Sequence, residues 1–260
     1  MTSRLVLCLG DLFIPDRANQ RYDKTALRPL TLDLAPNATR KQFKKLLTPG
    51  KIGQILCLGN LTSPSVYTFL RNLAPDLQLV KGDFDISLST PAPPNPNAAY
   101  AAPTDQVPVP TALSKVVTHG GLRIGFTHGH TIVPPGDPDS LLIAARQMDV
   151  DVLCWGGTCK FEAYEMEGKF FVNPGSATGA VSWSPDAELD SEGEAVSTPS
   201  FVLMDVSRHA SWANLVDLSD HPEQVQGDVL VLYVYQLRKD QNGVENVAVE
   251  KVSYRKNASS

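Results

Sequence analysis

Asp11, Asn60, Asp83 and His128 share one local setting: each ends a short apolar run and sits beside a glycine. The runs are Leu5-Val6-Leu7-Cys8-Leu9, Ile55-Leu56-Cys57-Leu58, Leu77-Gln78-Leu79-Val80-Lys81 and Leu122-Arg123-Ile124-Gly125-Phe126-Thr127. A fifth, Val152-Leu153-Cys154-Trp155, stops at Gly156-Gly157-Thr158-Cys159. Carboxylates, amides, imidazoles and thiolates are the donors that hold divalent cations. Two cations held close together activate a water and neutralise phosphoryl oxygens. Short apolar runs stopped by glycine read as buried strands. Ligands of open α/β sheets gather at the carboxyl ends of such strands. The five run ends are therefore expected to converge on one rim.

The elements that must position this rim follow from periodicity. Strand 5–9 precedes a polar stretch and a helix near 41–47 ended by Thr48-Pro49-Gly50. Strand 54–58 leads to a helix near 63–73, with Ser63-Pro64 as cap and first position and Val66, Phe69, Leu70 and Leu73 as its apolar face. Strand 77–80 follows, so a largely parallel sheet with right-handed crossovers is expected. Strands resume at 115–119 and 122–128, and Asp137-Pro138-Asp139 opens a helix to about Met148. Later runs at 163–166, 169–172, 201–206, 230–236 and 247–254 read as successive antiparallel strands. Segments 17–40, 86–113, 184–198 and 207–228 are poor in large apolar residues and read as surface insertions in one domain spanning residues 1–260.

The net charge of −5 over 260 residues argues against a nucleic-acid binder. No apolar stretch reaches the length of a membrane span, and a cytoplasmic chain is expected. Cys8, Cys57 and Cys154 fall mid-strand and read as buried thiols. Cys159 instead falls on the rim, where it could offer a thiolate to zinc or fill space.

The motifs resemble those of the calcineurin-like metallophosphoesterases, which use Asp-x-His, Gly-Asp, Gly-Asn-His-Asp/Glu, a lone His and Gly-His-x-His. The resemblance implies an α/β fold of two facing mixed sheets flanked by helices in a four-layer sandwich. It also exposes what is missing. The first motif reads Asp11-Leu12-Phe13, the second Gly59-Asn60, and the third Gly82-Asp83-Phe84-Asp85. His128 remains, with Gly129-His130 beside it, but both imidazoles of the fifth motif are replaced, by Gly157 and Cys159. His130 could ligate or bond a loop carbonyl. Phe13 and Phe84 carry no donor and are expected to pack in or beside the pocket. The implied metal set is thus vestigial, weak or empty: Asp11, Asn60, Asp83, His128 and Cys159.

Further blocks narrow the resemblance: Phe43-Lys44-Lys45-Leu46-Leu47-Thr48-Pro49-Gly50-Lys51, Asn173-Pro174-Gly175-Ser176-Ala177-Thr178-Gly179-Ala180, Pro199-Ser200-Phe201-Val202-Leu203-Met204-Asp205 and Tyr233-Val234-Tyr235-Gln236-Leu237. In order and spacing they are similar to the metallophosphoesterase-like small subunits of retromer. That resemblance implies a non-catalytic scaffold in endosome-to-Golgi sorting and recycling, recruited from the cytoplasm to the endosome membrane as part of a complex. Implied partners are the large helical-solenoid subunit (vacuolar protein sorting protein 35), the other retromer subunits and regulators of endosomal trafficking. Membrane contact is then only indirect, and nucleic acid is not a partner. The solenoid is expected on Ile132, Val133 and Pro134. Regulators are expected on Leu5, Leu46, Leu203, Tyr233, Tyr235 and Val249, with Val202, Met204 and Val234 facing inward; a plain core face is the other reading of these strands. No cofactor is required, and weak zinc or manganese binding stays open. The alternative function is an active metal-dependent phosphodiesterase or phosphatase.

Overall fold

The computed structural model describes residues 5–12, 43, 46–61, 64–85, 110–180, 197–207, 228–239 and 245–256. Phe13, most of the 41–47 helix and the greater part of each insertion lie outside the described residues. Phe43 and Leu46 have helical backbone. Residues 110–113, assigned to an insertion on composition, are bonded to the sandwich: Lys81 N donates to Ala112 O (2.8 Å) and Thr127 Oγ1 to Leu113 O (2.9 Å).

Eleven strands make two sheets among the described residues. The larger holds β1 (Leu5–Leu9), β2 (Ile52–Cys57), β3 (Asp76–Leu79), β9 (Ser200–Ser207), β10 (Val229–Lys239) and β11 (Glu245–Arg255) in the order β11-β10-β9-β1-β2-β3. The smaller holds β4 (Ser114–His119), β5 (Leu122–Thr127), β6 (Val152–Cys154), β7 (Phe161–Met166) and β8 (Lys169–Pro174) in the order β4-β5-β6-β8-β7. β1, β2 and β3 are parallel, as the β-α-β order requires. The second half is not uniformly antiparallel: β8 pairs antiparallel with β7 but parallel with β6. The chain then crosses to the other sheet, where β9 joins β1 antiparallel.

The strands are apolar on both faces because both faces are covered. Val6 and Cys8 of β1 point between the sheets with Leu56, Phe126, Cys154 and Val172. Leu7 and Leu9 point outward, into a second cluster with Ile55, Leu70 and Leu73. Leu70 and Leu73 belong to α1 (Pro64–Leu73), which sets Val66, Leu70 and Leu73 on the sheet at helical spacing. On the far side, α2 (Pro138–Gln147) lays Leu141, Leu142 and Ala145 against Leu153, Trp155 and Phe171. Its start is locally encoded: the Asp137 carboxylate accepts from Ser140 N (2.9 Å), and Pro138 follows the cap. The result is the four-layer α/β/β/α sandwich.

Cys8, Cys57 and Cys154 are buried free thiols. Contact with the Cys154 thiol and burial push Cys8 up, and burial pushes Cys57 up to about 12. Such thiols are poor nucleophiles and poor metal ligands.

Candidate functional site

Asp11 and Asn60 sit in left-handed backbone just past β1 and β2, at φ 48° and 56°. Asp and Asn tolerate that region better than other residues with a side chain. The turn directs both side chains into one buried spot. His128 reaches it from the end of β5 and Asp83 from the loop after β3. Each sheet therefore supplies half of the rim.

The donors lie in mutual contact. His128 Nε2 is 2.9 Å from Asp11 Oδ1 and 3.7 Å from Asp83 Oδ1. Asn60 Nδ2 lies 3.3 Å from Asp11 Oδ1, 3.0 Å from Asp83 Oδ1 and 2.7 Å from His128 Nε2. The Asn60 amide is oriented from behind, because its Oδ1 accepts from Phe84 N (3.0 Å). This arrangement cannot satisfy every group. If His128 Nε2 carries a proton for Asp11, it meets the Asn60 NH2 donor to donor. If it accepts from Asn60, it faces a carboxylate oxygen lone pair to lone pair. One divalent cation would draw on both carboxylates, the imidazole and, after an amide turn, the Asn60 oxygen together. The donor chemistry thus fits one cation. The present geometry is hydrogen-bonded shut, and no group of His, Cys, Asp or Glu is spaced around an ion among the described residues.

Burial disfavours the His128 charge, but the Asp11 hydrogen bond and the charges of Asp11, Asp83 and Asp85 outweigh it and raise its pKa. Its Nδ1 is 3.1 Å from Nδ1 of His130. Burial and the neighbouring His128 lower the pKa of His130. His130 is thus placed as a partner of His128's far nitrogen.

Cys159 is buried, and it packs with Ala180. Phe84 is 44% exposed, so it stands on the rim rather than packing within the pocket. Several positioning residues carried no role in the sequence reading. Buried Asp85 accepts from Asn60 N (2.9 Å) and Gly82 N (2.8 Å), locking the two loops together. Gly157 N donates to Asp11 Oδ2 (2.8 Å), and Ser176 Oγ donates to Asp11 O (2.9 Å). The acidic fourth position of the Gly82–Asp85 motif was the available signal for Asp85.

Gly82 is indispensable to this packing. A Cβ there would lie 2.2 Å from Asn60 Oδ1 and 2.6 Å from Asn60 N. Gly82→Ala is expected to displace Asn60, cost about 1–3 kcal/mol of stability and remove any metal affinity. Thermal melting and zinc titration of the variant check this; unchanged values of both would refute the close-approach argument.

Two surfaces flank the site. Beside His128, Ile132 packs under its loop against the Trp155 cluster, whereas Val133 is 75% exposed. The loop is pinned by Ile132 N to Gly129 O (3.0 Å), Asp137 N to Pro134 O (3.3 Å) and Ser140 Oγ to Val133 O (3.1 Å). Across the molecule, Val202, Met204 and Val234 face the inter-sheet core, and the alternate residues face outward. Leu203 is not solvent-facing, however: it is 8% exposed, between Leu7 and Tyr233 in register. The Phe201 ring beside it stacks on Tyr235 and meets Phe43 edge-on, both at 4.8 Å. The accessible part of this face is Leu46 and Val249, with Leu5, Tyr233 and Tyr235 half-buried.

Comparison with known proteins agrees with this geometry. The calcineurin-like phosphoesterase superfamily domain matches residues 37–207. Vacuolar protein sorting-associated protein 29 of Schizosaccharomyces pombe is 42% identical over 252 residues, covering 97% of this chain and 98% of the relative. The crystal structure of Chaetomium thermophilum Vps29 aligns at 45% identity and TM-score 0.68, over 99% of this chain and 100% of the other. The same protein has been solved complexed with a cyclic peptide, at 43% identity, TM-score 0.64 and coverage of 99% and 100%. Entamoeba histolytica Vps29, solved complexed with zinc, aligns at 31% identity and TM-score 0.60, over 96% of this chain and 98% of the other. With its fold, its altered motifs and these relatives in agreement, the chain belongs to the vacuolar protein sorting-associated protein 29 family, on the calcineurin-like phosphoesterase fold.

Proposed function

We propose that the chain is a non-catalytic scaffold subunit of retromer in endosomal and vacuolar protein sorting. The observation that carries this reading is the donor inventory. Phe13, Phe84, Gly157 and Cys159 stand where a dinuclear phosphoesterase places imidazoles, and the remaining donors make one small cluster. Of the motif positions that carry imidazoles in the family only His128 keeps one, with His130 beside it, and the leaving-group position holds Phe84. The pinned Val133 loop docks the helical-solenoid subunit, vacuolar protein sorting protein 35, and the accessible part of the Leu46–Val249 face takes regulators. A relative that binds a cyclic peptide supports partner binding as the family's work. The chain acts from the cytoplasm and reaches endosomes through its complex; among the described residues no helix is long and apolar enough to cross a membrane. It forms one domain.

Asp11, Asn60, Asp83 and His128 would hold the single cation, and zinc in the Entamoeba histolytica relative supports that capacity. When bound, a cation would supply Lewis acidity. Asp11 and His128 would hold it, while Gly157 N and Ser176 keep Asp11 in place. The surviving donors also favour the second reading, a residual metal-dependent phosphodiesterase.

Two assays separate these readings. Hydrolysis of bis-p-nitrophenyl phosphate with magnesium, manganese or zinc is expected to show no saturable turnover, since general acid–base and metal terms are each worth orders of magnitude. Turnover abolished by Asp83→Ala would establish the enzyme instead. Calorimetry with zinc and manganese is expected to show weak binding of no more than one cation, lost in Asp11→Ala. A submicromolar, two-cation isotherm would contradict the vestigial site.

A further inference from the structure

Along the facing edges of the two sheets, side chains from both sheets meet in a directed chain of hydrogen bonds. Gln54 of β2 and Gln78 of β3 both donate their amide NH2 to Asp76 of β3, the second at 2.6 Å. From β4 in the other sheet, Lys115 Nζ lies 3.3 Å from Gln78 Oε1 and His119 Nε2 lies 2.7 Å from Gln54 Oε1. β3 and β4 are edge strands of different sheets. Unpaired edges are liabilities that proteins cover or charge.

We propose that Asp76 is the keystone of a polar latch that fastens the free edges of the two sheets together, with Lys115 and His119 as its two donor arms. The chemistry leaves one arrangement. A carboxylate only accepts, so both glutamines must turn their NH2 groups toward Asp76. Their carbonyl oxygens are then aimed at β4, where only donors satisfy them. Lys115 always donates. His119 donates only if its proton sits on Nε2, so the latch selects that tautomer. Lys81 N to Ala112 O (2.8 Å) joins the same two edges near the rim, so the pair is fastened at both ends. One sheet carries Asp11, Asn60 and Asp83 and the other carries His128, so the latch keeps the two halves of the rim in register.

His119 meets Gln54 of β2, feels the charge of Asp76 of β3 and lies opposite uncharged Leu122 on β5; Lys115, further along its own strand, bonds Gln78 instead. Burial holds the imidazole below its ordinary 6.5, with Asp76 opposing in part. The folded chain therefore binds fewer protons than the unfolded chain as pH falls below 6.5. This contribution to stability is complete above that value and lost as pH falls through the folded pKa.

Nitrogen-resolved NMR of the imidazole in the unmodified chain tests the latch directly. The expected neutral form of His119 is Nε2–H; an Nδ1–H tautomer would overturn the proposal, whether or not any variant folds. Asp76→Asn removes the charge and keeps the shape. It is expected to lower the His119 pKa by about half a unit or more and to speed hydrogen exchange of β4 amides about tenfold. A His119 titration identical to that of the unmodified chain would show that Asp76 does not reach it, and would end the proposal. Melting between pH 7.5 and 5.5 is expected to fall more steeply in the unmodified chain than in His119→Gln; equal slopes would count against a His119 arm buried between the sheets.

Discussion

Val133→Asp is expected to abolish capture of the helical-solenoid subunit while leaving the free chain as stable as before. Val133 is 75% exposed, so a carboxylate there stays hydrated in the free protein. Its backbone is held by neighbours rather than by its own side chain: Ser140 Oγ bonds its carbonyl, and Ile132 supplies the apolar anchor below. The loop loses little freedom on docking, which favours binding by a small apolar contact. At the centre of an interface the same carboxylate would be buried without a partner. That costs about 3–5 kcal/mol, a weakening of roughly a hundred-fold or more. Pull-down with the solenoid subunit, paired with a melting curve, decides the point. A folded Val133→Asp chain that still binds at full strength would remove this rim from the assembly surface.

The second large effect separates two residues of one face. Leu203→Glu is expected to lower the melting temperature by about 10 °C or more, on the usual conversion of a several-kcal/mol loss in a chain of this size. Leu203 lies between Leu7 and Tyr233, beneath an aromatic stack that includes Phe201, Tyr235 and Phe43. A carboxylate there has no described basic partner and must enter the outer apolar cluster. Val249→Asp, on edge strand β11 and 53% exposed, is expected to leave melting unchanged and to remove regulator binding. Circular dichroism melts followed by capture assays on both variants read this out. A stable Leu203→Glu chain would mean that this face opens to solvent. Undiminished regulator binding by folded Val249→Asp would place that partner elsewhere.

The sequence alone carried the frame of this protein. Apolar runs ended by Gly10-Asp11, Gly59-Asn60 and Gly82-Asp83 marked the strand ends that bear the site; left-handed backbone at Asp11, Gly59 and Asn60 favours those residue types, and Gly82 is required by its close approach to Asn60. That positions 13, 84, 157 and 159 carry Phe, Phe, Gly and Cys was equally plain, and ligand chemistry depends on residue type. The two-residue period of a strand put Val202, Met204 and Val234 on the face opposite Leu203, Tyr233 and Tyr235, and the family resemblance turned that face inward.

Period alone does not say how deeply the other face is covered. Leu203 shares its parity with the accessible residues, yet it is buried in the outer cluster with Leu7, Phe43 and Phe201. Nor does sequence tell which donors bond to one another. His130 contacts His128, while Cys159 lies against Ala180. Asp85 acts through two backbone amides 25 and 3 positions away along the chain. The Asp76 latch joins residues of three strands from two sheets, and Gln54 or Lys115 taken singly looks like any solvated surface residue. Contacts of this kind are fixed by the crossing of the two sheets, a long-range property that no local pattern encodes.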